Sequence, residues 1–242
     1  MNKMNLQRRL VAWKTLTSWK SIPHVAYNYT PDVTKFINVF NELDITLNTL
    51  LLKAIANALK KAPDMNATCS YDLEKMDGEI VLVDHVDIDV PWVLPGGGML
   101  SLTVKDVDKK SLKEVAETVK CLKQKVQNTD IEFFYKALVA SFTEDNIKLP
   151  DNSLQITDIA SGTITVSNVG PIIHSRGCVT LLDVIEPQVC AIGISAVQEE
   201  ERKKILPMCI TIDHRALDLG QIVPFLEYLD SVFENPDVIK NW

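Results

Sequence analysis

The hydrophobic period of residues 206–229 changes abruptly, and that change limits the folds open to the chain. Leu206, Met208, Ile210 and Ile212 alternate with their neighbours, the two-residue period of a strand. Leu219, Ile222, Val223, Leu226 and Leu229 then recur at helical spacing, the stripe of a helix that buries one face. A strand feeding straight into a helix calls for mixed α/β layers. The junction reads TIDHRALDLG, residues 211–220, and strand geometry carries the His214 imidazole to a defined point at a sheet end. Imidazole titrates near neutral pH, so it is suited to take a proton from a thiol or hydroxyl. Asp218 stands where the helix begins, placed to cap it and to meet the positive end of its dipole.

The rest of the chain alternates in the same way. Residues 5–20 suit a first helix with Leu6, Leu10 and Trp13 on one side and Leu16 and Thr17 extending it; Pro23 ends it before a strand over 24–32. Residues 46–61 carry the broadest apolar stripe, Leu47, Leu50, Leu51, Ala54, Ile55 and Leu59. Residues 79–90 alternate as a strand. Ser111 and Glu114 form a capping box that opens a helix to about 127. Another helix is expected over 131–141, then strands near 162–168, 188–197 and 204–213, with QEEERKK as a solvated hairpin turn. The segment PWVLPGGGM, 91–99, reads as a connector, because its Gly96-Gly97-Gly98 run lacks the Lys-Ser/Thr of a phosphate loop.

Composition narrows the function classes. With 242 residues, 46% of them hydrophobic, the chain can bury one substantial core, and a single domain over 1–242 is expected. A net charge of −7 argues against a nucleic-acid binder, which would need a basic face. The opening MNKMNLQRRL lacks a signal peptide's apolar stretch, and no apolar run approaches the ~20 residues of a membrane span. A cytoplasmic location is expected. Five scattered cysteines contain no C-x-x-C pair, and Cys190 and Cys209 read as small core residues. His24, His85, His174 and His214 show no metal-ligand spacing, so no metal site is expected.

The junction resembles the His-Arg-x-x-Asp-Gly signature of the catalytic domain of dihydrolipoyl acyltransferases, the core subunits of 2-oxoacid dehydrogenase complexes, and the related signature of chloramphenicol acetyltransferases. Other segments are similar to that family in the same order: RRLVAWKTLTSWKSIPHVAYNYTPDVT at 8–34, GMLSLTVKDVDKKSL at 98–112, SGTITVSNVG at 161–170, EPQVCAIGI at 186–194 and FENPDVI near the end. One departure lies beside Asp218, where Leu219 takes the glycine's place and the glycine follows as Gly220.

The resemblance implies an α/β, chloramphenicol-acetyltransferase-like two-layer sandwich, a mixed sheet covered by helices. It implies acyl transfer between coenzyme A and either dihydrolipoamide on a separate protein or a small acceptor. His214 would be the general base and Ser167 the oxyanion donor, with Asn168 shaping the turn beside it. Asp218 would be architectural, paired with an arginine of the first helix; counting back from Pro23 gives Arg8, with Arg9 as neighbour. A homotrimer is implied, His214 coming from one chain and Ser167 from the next. The lipoyl and subunit-binding domains are expected to be absent. Two alternatives stand beside this reading: a non-catalytic trimeric scaffold subunit and a chloramphenicol-type O-acetyltransferase.

Overall fold

The computed structural model describes residues 3–94, 98–142, 147–175 and 177–242. Its centre is a six-stranded sheet of β1 (His24–Tyr29), β4 (Ile88–Val93), β5 (Met99–Val104), β6 (Ile164–Asn168), β7 (Cys190–Ile194) and β10 (Met208–Asp213) in the order β1-β10-β7-β6-β4-β5. The sheet is mixed: β4, β6 and β7 run parallel, while β5, β10 and β1 pair antiparallel to their neighbours. Two hairpins stand outside it, β2 (Ala67–Asp72) with β3 (Asp77–Leu82), and β8 (Gln198–Glu200) with β9 (Lys203–Ile205). The second is the turn expected at QEEERKK, with Glu200 opposite Lys203 and Glu199 opposite Lys204, pairings of opposite charge that favour the hairpin.

The helices are α1 (Leu6–Ser21), α2 (Thr34–Phe40), α3 (Leu47–Leu59), α4 (Leu112–Gln127), α5 (Ile131–Ser141) and α6 (Leu219–Glu234). The Thr46 hydroxyl caps α3 by accepting the Thr49 N–H, and α3 buries ten of its residues, packing against α4 and α6. Ser111 and Glu114 close both halves of the box that starts α4. Where the alternation of 79–90 suggests one strand, the chain makes two, β3 and β4, separated by residues 83–87. The reason is that β3 is exposed at every position and β4 is buried from Ile88 to Val90, so one apolar pattern serves two environments. The helix α2 carries no sequence expectation; Phe36 and Ile37 bury it. Gly98 O accepts the Leu94 N–H beside the β4–β5 connection, while Gly96 and Gly97 of the proposed connector lie outside the described residues.

The two faces of the sheet differ. Ile164, Val166, Ile192 and Ile194 face the main core with the helices. Alternation turns Thr165 and Ser167 to the other side, where Ala191 packs with Ile22, Val184 and Leu182. There the chain at Thr180 lies on β7 so closely that a Cβ on Gly193 would stand 2.0 Å from the Thr180 carbonyl oxygen. Only glycine fits that position.

The expected stripe on α1 is only partly realised. Leu6 and Leu10 pack on the core, but Trp13 and Leu16 are 67% and 56% exposed. Among the described residues nothing covers Trp13 and Leu16, so they face outward.

Candidate active site

His214 follows β10 directly, and its N–H donates to Pro23 O at 3.0 Å, which pins it beside the start of β1. The turn is organised by the preceding aspartate. Asp213 O accepts the N–H groups of Ala216 and Leu217, and Asp213 Oδ1 accepts that of Arg215 at 2.9 Å. Arg215 folds back with Nε 3.0 and 3.1 Å from the two Asp213 oxygens and Nη2 2.7 Å from Oδ2. This fork is the strong two-point geometry of a guanidinium on a carboxylate. It answers the displaced glycine: Gly220 has open space where a Cβ would be, and the turn is built by Asp213 instead.

The His214 side chain is 46% exposed, and its Nδ1 lies 3.7 Å from Asp218 Oδ1. That is too long for a hydrogen bond and short enough for an ion pair with imidazolium. Asp218 begins α6, with its own N–H donating to Gln221 Oε1 at 2.8 Å. The expected Arg8–Asp218 pair is not formed within this chain: among the described residues Asp218 faces only His214 in an ion pair, and Arg8 forms none. Helix geometry gives the reason. Ser21, at the far end of α1, is the residue that reaches the His214 turn, and Arg8 lies about 20 Å back along the same axis.

Ser167 sits near the opposite end of the sheet. Its register partner is Gly193, and Gly193 pairs with Cys209. From Cys209 to His214 is five residues along the chain, about 17 Å, and two strand spacings add about 10 Å sideways. Within one protomer the two groups are therefore separated by about 20 Å. Ser167 is 7% exposed, and its hydroxyl makes no hydrogen bond among the described residues, so it is free to donate. Next to it Asn168 Oδ1 accepts the Gly170 N–H at 2.9 Å, a turn-forming bond.

Three comparisons with known proteins bear on this geometry. The family model described as 2-oxoacid dehydrogenases acyltransferase (catalytic domain) matches residues 2–133 and 136–240. The chain belongs to this family. A relative, the dihydrolipoyllysine-residue acetyltransferase component of the pyruvate dehydrogenase complex of Rickettsia prowazekii, is 25% identical over 95% of this chain and 52% of its own length. The chain thus spans about half the length of such curated relatives. The dihydrolipoamide acetyltransferase of Azotobacter vinelandii superposes with a TM-score of 0.71 at 20% identity, covering 99% of this chain and 94% of that one. A chloramphenicol acetyltransferase superposes at 0.58 with 10% identity, over 96% of this chain and 99% of that one. The expected chloramphenicol-acetyltransferase-like fold is the one observed.

In this acyltransferase domain several residues near the site were not legible as site residues. Glu186 joins Arg215 Nη2 at 3.2 Å and accepts the Ser21 hydroxyl at 2.8 Å, a contact between segments 165 residues apart. His24 Nε2 accepts the Val184 N–H, and its ring stacks on Trp19 with centroids 4.7 Å apart. On the Ser167 face, Asp89 accepts hydrogen bonds from Thr103, the Gly162 N–H and Gln188. Burial nonetheless holds the Asp89 carboxyl above its usual range. A cleft of about 660 Å³ is lined by Lys20, Ser21, Pro23, Tyr71, Leu73 and Arg215, with neither His214 nor Ser167 in its wall. Cys190 is fully buried, which pushes its thiol pKa up and makes it a poor nucleophile. No group of described residues has the composition of a metal site, and no described helix is long and apolar enough to cross a membrane.

Proposed function

We propose that this domain transfers an acyl group between coenzyme A and a dihydrolipoyl thiol carried on a separate protein, as a homotrimer whose sites form between protomers. The observation that carries the reading is the placement of His214 and Ser167 at opposite ends of one sheet. Neither can serve the other within a chain, yet each is available: the imidazole is half exposed and the hydroxyl unpartnered. A cyclic arrangement of copies brings the His214 end of one sheet to the Ser167 end of the next. Exposed Trp13, Leu16 and Trp19 on α1 and Ile80, Val81 and Leu82 on β3 give such copies apolar surface to bury. The Azotobacter protein supports the roles, since its structure is described in terms of a serine, a histidine and an asparagine in its catalytic mechanism.

The chemistry then follows from the geometry. The free His214 nitrogen takes the proton of the attacking thiol as its sulfur bonds to the thioester carbonyl carbon. Asp218 Oδ1 stands 3.7 Å from Nδ1, on the side of the ring away from a proton taken at Nε2. The Ser167 hydroxyl of the adjoining protomer donates to the tetrahedral oxyanion. Collapse breaks the original carbon–sulfur bond, and the departing thiolate recovers the proton from imidazolium. A charged, three-donor lysine or a permanently protonated arginine could not cycle through this transfer at neutral pH.

The test is thiol release from acetyl-CoA, propionyl-CoA and branched acyl-CoAs with free dihydrolipoamide. Wild type is expected to turn over, and His214→Ala and Ser167→Ala homotrimers to be nearly inactive. Co-expression of the two variants should restore roughly a quarter of the wild-type rate, because mixed trimers rebuild some intact interfaces. Inactivity of the mixed trimers would place the site within one chain. Trimeric wild type that turns over no acyl-CoA would favour the scaffold reading, and transfer only to a small-molecule hydroxyl the O-acetyltransferase reading.

A further inference from the structure

Asp213 is fully buried, and a buried carboxylate requires a partner that neutralises it and fills its hydrogen bonds. Arg215 does so through its fork, yet the same guanidinium is shared, because Nη2 also reaches Glu186 Oε1. Glu186 is in turn held twice by α1. Its Oε1 accepts the Ser21 hydroxyl, and its N–H donates to the buried Ser18 hydroxyl at 3.2 Å. The next residue, Pro187, accepts the Cys69 N–H of β2. The end of α1, the first hairpin, the segment entering β7 and the turn carrying His214 thus meet around Glu186-Pro187, with Ser21 and Arg215 on the Glu186 carboxylate itself.

We propose that Glu186 is a positioning residue for His214, acting through Arg215 and resting on the acyl-transfer reading above. The His214 backbone is flanked by both members of the fork, Asp213 before it and Arg215 after it. An arginine held only by Asp213 would still cap the turn. Held also by Glu186, it ties the turn to α1, and the imidazole keeps one orientation while its own side chain stays half exposed. The ionic partner the structure gives the ring itself, among the described residues, is Asp218, with Oδ1 3.7 Å from Nδ1.

The experiment compares wild type, Glu186→Gln and Glu186→Asp as intact trimers. Glu186→Gln keeps the shape and removes the charge. Its kcat is expected to fall by roughly 10- to 100-fold, with KM for acyl-CoA within roughly twofold of wild type. Glu186→Asp should recover part of kcat. NMR of the His214 ring at fixed pH, which needs no turnover, should show its resonances displaced or broadened in Glu186→Gln and restored toward wild type in Glu186→Asp. If wild type is inactive but the ring resonances change in this way, the acyl-transfer reading fails while the positioning role stands. Unchanged ring resonances with unchanged kcat overturn the proposal. So does a loss of activity that tracks only a lower melting temperature, which would make Glu186 a stabilising residue and nothing more.

Discussion

The two ends of the central sheet solve opposite problems. At the His214 end, four segments converge around Glu186-Pro187, and a guanidinium shared by Glu186 and the buried Asp213 holds the turn. At the Ser167 end, a mostly buried serine has no hydrogen-bond partner for its hydroxyl among the described residues, and the 20 residues from 169 to 188 that follow contain no helix or strand among those described. One end is tied within the chain; under the proposed function, the other is completed by an adjoining protomer. A base must be aimed before its substrate arrives, so its frame is intramolecular. An oxyanion donor has to keep its hydrogen bond unspent until charge develops on the substrate.

The sharpest way to break this contrast is to remove the shared guanidinium. Arg215→Met leaves Asp213 buried and unpaired, and is expected to cost about 3–5 kcal/mol of stability, read as a lower midpoint in chemical unfolding. A change under about 1 kcal/mol would mean that water reaches Asp213 and the frame is not closed. At the other end Ser167→Ala should lower kcat by about 10²–10³-fold and leave the unfolding midpoint nearly unchanged, since no hydrogen bond within the chain is lost. A stability loss comparable to that of Arg215→Met would erase the distinction between the two ends.

The smallest effect concerns Asp89, whose row on the sheet adjoins that of Ser167 through Thr165. Burial raises its carboxyl above the usual value of 3.8 in the folded protein, so the folded state holds this proton more tightly than the unfolded one. Its stabilising contribution is complete below the ordinary carboxyl range and is lost as pH rises through the raised folded value. The difference in melting temperature between wild type and Asp89→Asn should therefore move in favour of the variant as pH rises from about 4 to 7. A pH-independent difference would show that the three hydrogen bonds to Asp89 outweigh its burial.

Much of the architecture was legible because it is written in short-range pattern. The stripe of α3, the Ser111 box of α4 and the alternation of β10 each place a residue by its neighbours within a few positions. The strand-to-helix switch at 206–229 placed His214 at a sheet end before any pairing was known. Pattern failed where one signal had two meanings: 79–90 alternates throughout, yet β3 is exposed and β4 buried. It failed again on α1, where Trp13 and Leu16 read as part of the apolar stripe and face outward.

Local sequence placed His214 between a strand end and a helix start, because these are properties of consecutive residues. Which of them meet is decided by pairing across the sheet. The register of β6, β7 and β10 sets Ser167 about 20 Å from His214, and no spacing in the chain encodes that distance. The partners of Asp218 and Arg215 follow from the same cause. An ion pair is chosen by where folded elements end, so α1 delivers Ser21 to the turn and carries Arg8 away from it.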